Sequence, residues 1–334
     1  MNGSGPGAGP LDATDTTDTT DTTDTTDTTD TTDATDTTDA TEPTAGGPTV
    51  RGSFRSGFVS VVGRPNVGKS TLVNRIVGSK VSITSSTPNT TRTRVRGVLD
   101  GPGFQAVFVD TPGIHKPRSP LGARLNETAS DSLDDVDVCL LVVDATAAIG
   151  PGDRFVAGRV PPDTVIVVNK ADRATPTEIL AQLTRAADQL GLAEAEYFPV
   201  SALTGSGIDA LVDHVVARLP EGPRYFPDGM VSDAPEAFYV AELVREQLLR
   251  VAREELPHSI ACRVTEWEWP YVRCEILVER ESQKAIVVGR NGSVLKAAGT
   301  AARRALPPGT YLDLHVKVEK DWQRRLDVIE RLGY

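Results

Sequence analysis

Between Phe54 and Gly222 the chain alternates short apolar runs with segments whose apolar residues recur every three or four positions. Phe58–Gly63, Val95–Leu99, Gln105–Asp110, Val138–Asp144, Val165–Asn169 and Tyr197–Val200 read as strands. Lys69–Val77, Pro176–Leu190 and Ile208–Leu219 read as helices; in the first, Leu72, Val73, Ile76 and Val77 fall on one face. Strands alternating with helices predict an α/β domain, a mostly parallel sheet covered by helices on both faces. One pair is the exception: Val95–Leu99 and Gln105–Asp110 are joined by Asp100-Gly101-Pro102-Gly103, a hairpin signal that predicts one antiparallel strand.

The pattern stops at Leu219-Pro220-Glu221-Gly222-Pro223, and residues 223–235 read as a Pro- and Gly-rich linker. A second, α+β domain is expected over residues 236–334. Its predicted order is helix (Ala237–Glu254), strand (Ile260–Trp267), strand (Tyr271–Glu279), helix (Ser282–Val288), helix (Val294–Leu306), strand (Tyr311–Val318) and helix (Trp322–Leu332).

Residues 1–50 have no apolar period; an Asp-Thr-Thr triplet repeats from Asp12 to about Thr41. Such a segment buries too little apolar surface to offset the entropy of ordering it, so a disordered acidic tail is expected. It holds eleven acidic residues and no Lys or Arg, which accounts for the whole net charge of −11. The remaining 35 basic and 35 acidic residues balance, so the pI near 5.0 does not argue against a nucleic-acid partner. No secretory signal is expected, and the longest apolar run, Val138–Val143, is far too short to cross a bilayer. Cys139, Cys262 and Cys274 are widely spaced and form no CxxC, which argues against a disulfide framework or zinc site and for a reducing cytoplasm.

Gly63-Arg64-Pro65-Asn66-Val67-Gly68-Lys69-Ser70 fits the phosphate-binding pattern GxxxxGK[ST], after a strand and at the start of a helix. Its glycines let backbone N–H groups close on phosphate oxygens, with the positive end of the helix dipole behind them. Gly63, Asn66, Val67, Gly68, Lys69, Ser70 and Thr71 are the expected phosphate contacts, with Lys69 along the β- and γ-phosphates and the Ser70 hydroxyl on Mg²⁺. Asp110-Thr111-Pro112-Gly113 closes the third strand; Asp110 is expected to hold Mg²⁺ through a water and the Gly113 N–H to meet the γ-phosphate. Asn169-Lys170-Ala171-Asp172 closes the fifth strand and points to guanine: its N1–H and exocyclic amine are adjacent donors that one carboxylate, Asp172, can accept together. Lys170 is expected over the base, Asn169 tied to the phosphate loop, and Ser201, Ala202 and Leu203 supplying an N–H to guanine O6.

The polar stretch Thr84–Arg94 reads as a loop ordered by a γ-phosphate. Thr90 or Thr91 can place a hydroxyl on Mg²⁺; Thr91 is taken with Ser70 and Asp110 as the metal set, and Lys69, Thr91 and Gly113 as the catalytic set. Where Ras-like GTPases carry a water-orienting Gln after the DxxG glycine, this chain has Ile114, which predicts slow intrinsic hydrolysis. His115 reads as a solvated loop residue, and Asn66 as a candidate ligand for K⁺.

In the second domain Gly289-Arg290-Asn291-Gly292 joins two predicted helices. A bare GxxG is a weak signal. Around it, residues 281–310 carry five basic residues (Lys284, Arg290, Lys296, Arg303, Arg304) against Glu281 alone. The order helix–strand–strand–helix–GxxG–helix–strand is that of KH modules, which clamp about four nucleotides of single strand. Lys284, Gly289, Arg290, Asn291, Gly292 and Lys296 are the expected RNA contacts, and the stripe Ile286, Val287, Val288, Val294 and Leu295 is expected to divide between core and base platform.

Gly63–Asn74 (GRPNVGKSTLVN), Thr90–Arg92 (TTR), Asp110–Pro117 (DTPGIHKP), Asn169–Asp172 (NKAD), Ser282–Arg303 (SQKAIVVGRNGSVLKAAGTAAR) and Val316–Trp322 (VKVEKDW) together resemble the Era family of bacterial GTPases, over roughly Phe54 to Tyr334. The resemblance implies a GTPase domain (54–222) followed by a type II KH domain. It also implies binding to the 3′ end of small-subunit ribosomal RNA, a role in maturing the small ribosomal subunit, and peripheral contact with the membrane. Two positions depart from the family pattern: Asn89 stands where Gln is usual, and Asn291 where Gly is usual. A cytoplasmic monomer acting on RNA and not DNA is the expectation. The competing reading is a constitutive RNA-binding assembly factor whose nucleotide is structural.

Overall fold

The structure, a computed structural model, describes residues 53–334 except 118, 135 and 252–255. The expected disordered tail, residues 1–50, lies outside the described residues. Six strands, β1 (Arg55–Val62), β2 (Val95–Gly101), β3 (Phe104–Asp110), β4 (Val138–Asp144), β5 (Val165–Asn169) and β6 (Tyr197–Pro199), form one sheet in the order β2-β3-β1-β4-β5-β6. Only β2 runs antiparallel, paired with β3 across the predicted hairpin, with Gly101 opposite Phe104. Every residue from Val138 to Val143 and from Val165 to Val168 is buried, because a parallel central strand is covered on both faces. The covering helices are α1 (Lys69–Val77), α2 (Pro120–Ser130), α3 (Pro151–Ala157), α4 (Pro176–Leu190) and α5 (Ile208–Arg218).

The second domain runs α6 (Glu236–Val251), α7 (Leu256–Ser259), β7 (Ala261–Glu268), β8 (Tyr271–Val278), α8 (Glu281–Val288), α9 (Ser293–Arg303), β9 (Tyr311–Val318) and α10 (Leu326–Arg331). Its sheet, β7-β8-β9, is antiparallel between β7 and β8 and parallel between β8 and β9, the type II KH arrangement. The expected final helix over Trp322–Leu332 is broken: Trp322–Arg324 forms a 3₁₀ turn entered through Asp321 at φ 50°, and α10 follows.

Two expectations change on folding. Residues 223–235 contain no helix or strand, as a linker would, yet they are bound to the first sheet. The Gln105 side chain accepts from the Tyr225 and Phe226 amides (2.7 and 2.9 Å) and donates to the Phe226 carbonyl (3.0 Å). The Val98 amide donates to the Val231 carbonyl (3.0 Å), and Arg96 pairs with Asp233. Nor is the second domain a separate unit, since Leu121 and Leu125 of α2 share a buried cluster with Ala261, Leu277, Trp322, Val328, Ile329 and Tyr334. Trp322 is wholly buried there and donates from Nε1 to the Ser259 carbonyl (2.9 Å).

Candidate functional site

Loops leaving the carboxyl ends of β1, β3, β5 and β6 converge where open α/β sheets bind ligands. The first loop turns at Gly63 (φ 151°), where a Cβ would meet the Val142 carbonyl oxygen at 2.5 Å. It ends at Gly68 (φ 100°), the N-cap of α1, where a Cβ would strike the Asn169 amide. Lys69 lies beneath it, 6 % exposed, its ammonium bonded to the Gly63 and Arg64 carbonyls (3.2 and 3.1 Å). Burial lowers its pKa to about 8, against the pull of Asp110. The Gly113 loop passes so close that a Cβ would meet the Pro65 nitrogen at 2.7 Å.

The expected metal set comes together. The Ser70 and Thr91 hydroxyls lie 2.9 Å apart, and Thr91 donates to Asp110 Oδ2 (3.1 Å). Asp110 is wholly buried, and burial raises its pKa although Lys69 opposes the shift. Its Oδ1 has no hydrogen-bond partner, an orphan that costs stability unless a ligand satisfies it. Three hard oxygens with one buried, unsatisfied carboxylate oxygen fit the demands of Mg²⁺. The two threonines differ in their partners: the Thr90 hydroxyl bonds Ser85 Oγ (2.6 Å) and the Thr87 carbonyl (2.7 Å), whereas that of Thr91 meets Ser70 and Asp110.

At the end of β5, Asn169 donates to the Val67 carbonyl (2.9 Å) and accepts from the Ala202 amide (3.0 Å), so it ties together the first loop and the loop after β6. Lys170, in the left-handed conformation (φ 69°), reaches the Asn66 carbonyl (2.7 Å) and pairs with Asp144 (2.6 Å). The Ser201 hydroxyl donates to Asp172 Oδ1 (2.6 Å) and accepts from the Thr204 amide (3.0 Å). Thr71 and Asn66 border the same phosphate cavity, and Leu203 is exposed at the rim beyond Ala202.

Ile114 is buried in a cluster with residues of β4 and α3 and carries no polar group to orient a water. His115 is more tightly bound than a loop histidine is expected to be. Instead of being merely solvated, it donates from Nδ1 to the Gly113 carbonyl (2.9 Å) and exchanges bonds with Asn126, while Nε2 faces Asn89 Nδ2 at 3.5 Å. A single loop histidine carries no sequence signal of this; the partners Asn89 and Asn126 lie 26 and 11 residues away.

In the second domain the glycine turn links α8 to α9. Gly289 (φ 72°) has room for no Cβ, which would lie 2.5 Å from Val294 Cγ2, while Gly292 (φ 75°) has no atom within 4 Å of that position. Asn291 keeps the left-handed conformation (φ 52°) that Asn, among non-glycine residues, adopts at least cost. Arg290 and Lys296 are exposed, Lys284 is half-buried, and none is in an ion pair among the described residues. Of the apolar stripe, Val287 is core, Ile286 is 57 % exposed, and Val288, Val294 and Leu295 lie between.

Sequence reasoning missed the contacts between domains. Arg92 is buried, donates to the Ile260 carbonyl (2.8 Å) and lies 5.4 Å over both the Trp322 and Tyr334 rings. Arg245 and Glu246 of α6 reach the loop containing Thr84 and Thr90. On an amphipathic helix, Glu242, Arg245 and Glu246 read as ordinary surface ion-pair spacing.

Residues 58–170 match the family described as 50S ribosome-binding GTPase, and residues 255–323 match the KH domain. GTPase Era of Mycobacterium tuberculosis H37Rv is 46 % identical over 298 residues, covering 84 % of this chain and 99 % of that protein. GTPase Era of Carboxydothermus hydrogenoformans is 45 % identical over 295 residues, 84 % of this chain and 98 % of that protein. Two solved structures each superpose with a TM-score of 0.80 at 38 % identity, over 84 % of this chain and 99 % of theirs. One is Era with MgGDPNP and nucleotides 1506–1542 of 16S ribosomal RNA; the other is an Aquifex aeolicus Era variant bound to GDP and aluminium fluoride. With its nucleotide loops, its type II KH sheet and this likeness along nearly all of the described chain, the protein belongs to the Era family of GTPases and is a GTP-hydrolysing enzyme.

Proposed function

We propose that this GTPase is a molecular switch that binds small-subunit ribosomal RNA near its 3′ end and acts in maturation of the small ribosomal subunit. The observation that carries the switch is the Thr91 hydroxyl, held between Ser70 and Asp110 on a loop that also touches the second domain. Ser70, Thr91 and, through a water, Asp110 would hold Mg²⁺, which would screen the phosphate charge. Lys69 and the Gly113 N–H bind the γ-phosphate, while Asp172 reads guanine N1–H and the exocyclic amine, Lys170 covers the base and an amide of Ser201–Leu203 meets O6. The solved complex of Era with 16S ribosomal RNA, which this chain resembles along its length, supports the RNA partner.

The RNA contact is assigned to Lys284, Gly289, Arg290, Asn291, Gly292 and Lys296, where phosphates can approach a turn with open space at Gly292. Asn66 gives its Nδ2 to the Ser86 carbonyl (2.9 Å), which leaves Oδ1 as a ligand for K⁺. The reading places a monomer in the cytoplasm, with peripheral membrane contact resting on the family resemblance alone. Among the described residues no helix is long and apolar enough to cross a membrane.

Gly292→Asp tests the RNA assignment. Asp tolerates the left-handed conformation and meets no neighbour, so the variant folds. Its carboxylate faces RNA phosphate. In cells, crosslinked ribosomal RNA recovered with the protein should fall about tenfold or more, with GTP hydrolysis by the purified variant unchanged. Equal recovery from both proteins would remove the glycine turn from the RNA site.

A further inference from the structure

Helix α6 belongs to the second domain, yet its charged residues serve the first. Glu246 is wholly buried; its Oε1 accepts from the Thr84 amide (3.0 Å) and its Oε2 pairs with Lys80 (2.5 Å). Arg245 is also wholly buried, and burial opposes its charge. The Glu242 carboxylate, held by two bonds of 2.7 and 2.6 Å, outweighs that cost and raises its pKa above the ordinary value. With Nη2 so fixed, Arg245 donates to the Thr90 carbonyl, one peptide unit before Thr91. Arg92, on the other side of Thr91, is bonded to Ile260. The second domain therefore holds the loop on both sides of the residue whose hydroxyl meets Ser70 and Asp110. On its opposite face α6 packs against α9, with Val240 and Val244 sharing a cluster with Ala298 and Ala302, and Gly292 of the glycine turn is the N-cap of α9.

We infer that Arg245 and Glu246 are positioning residues of the GTP site: the second domain completes the loop that carries Thr91. The inference rests on the switch reading above. Its chemistry is specific to the triphosphate. GDP makes no use of a Thr91 ligand, whereas GTP with Mg²⁺ does, so a loop preset by Arg245 favours GTP selectively.

The test uses the full chain, with Mg²⁺ present, and measures the affinities for GDP and for the non-hydrolysable analogue GDPNP by displacement of a fluorescent nucleotide. Arg245→Met should weaken GDPNP about tenfold and leave GDP within about twofold. Arg245→Lys, which keeps a donor for the Thr90 carbonyl, should recover part of the loss. Lys80→Met, which breaks the Glu246 pair from the first domain without entering the second domain's core, should act in the same direction and more weakly. If Arg245→Met does not fold, Lys80→Met decides the matter. Equal losses for both nucleotides would mean a merely structural role and overturn the inference, as would unchanged affinities. Failure of the wild-type chain to bind either nucleotide would instead overturn the switch reading beneath it.

Discussion

Changing Asp172 to Asn should exchange guanine selectivity for xanthine selectivity. Guanine presents N1–H and an amine side by side, and a carboxylate accepts both; the Asn amide accepts the first and confronts the second with another donor. Affinity for GTP should fall by a hundredfold or more, about 3 kcal/mol, because a desolvated donor pair is left unmatched. Xanthine carries a carbonyl where guanine carries the amine, so XTP should bind the variant about as well as GTP binds the wild type. The Ser201 hydroxyl, which now donates to Asp172 Oδ1, can donate equally to an amide oxygen and so keeps the NH₂ turned outward. Competition of GTP and XTP for the site measures the effect; unchanged preference would mean that another residue reads the base.

Lys69→Ala should reduce GTP hydrolysis by about a hundred- to a thousandfold, the usual cost of removing one charged donor from a phosphoryl-transfer site. The fold should survive, since the ammonium is bonded only to loop carbonyls, while Asp110 loses the cation that opposes its burial and is left more readily protonated. The same residue sets a proton linkage. In the chain without nucleotide, burial holds Lys69 at about 8, and phosphate oxygens stabilise its charged form and raise that value. Affinity should therefore be full below about pH 8 and fall as the pH rises through it, with proton uptake on binding at pH 8.5 and almost none at pH 7. Calorimetry in two buffers of different ionisation enthalpy reads the uptake directly. In Lys69→Ala it should vanish.

The parts of the fold that could be read in advance are those where residue type is forced. Gly63 and Gly68 admit no side chain, Val138–Val143 can only be a strand buried on both faces, and Asp100–Gly103 can only turn. Helices α2 and α3 were not singled out because their apolar signal is sparse: α2 buries Leu121, Leu125 and Ala129 in eleven residues, and α3 spans seven. The threonine pair could not be separated because adjacent residues of the same chemistry differ only in where the backbone aims them. Contacts between distant segments left no trace at all. Gln105 binding the 225–226 amides, Asn89 facing His115, and Arg245 reaching Thr90 join residues 26 to 155 positions apart, and each alone looks like a solvated polar side chain.

These contacts matter because they turn two recognisable domains into one device. A loop that is fastened at Thr84, Thr90 and Arg92 to the second domain cannot reorder around a γ-phosphate without disturbing that domain. Linkage makes the effect reciprocal: if GTP alters RNA affinity, RNA alters GTP affinity by the same factor. The measurement that bears most directly on this is the dissociation constant of the full chain for an oligonucleotide of the small-subunit RNA 3′ end, at fixed salt, with GDPNP, with GDP and without nucleotide. A switch predicts binding about five- to a hundredfold tighter with GDPNP than with GDP; equal constants in all three conditions would contradict it and leave a constitutive RNA-binding factor with a structural nucleotide.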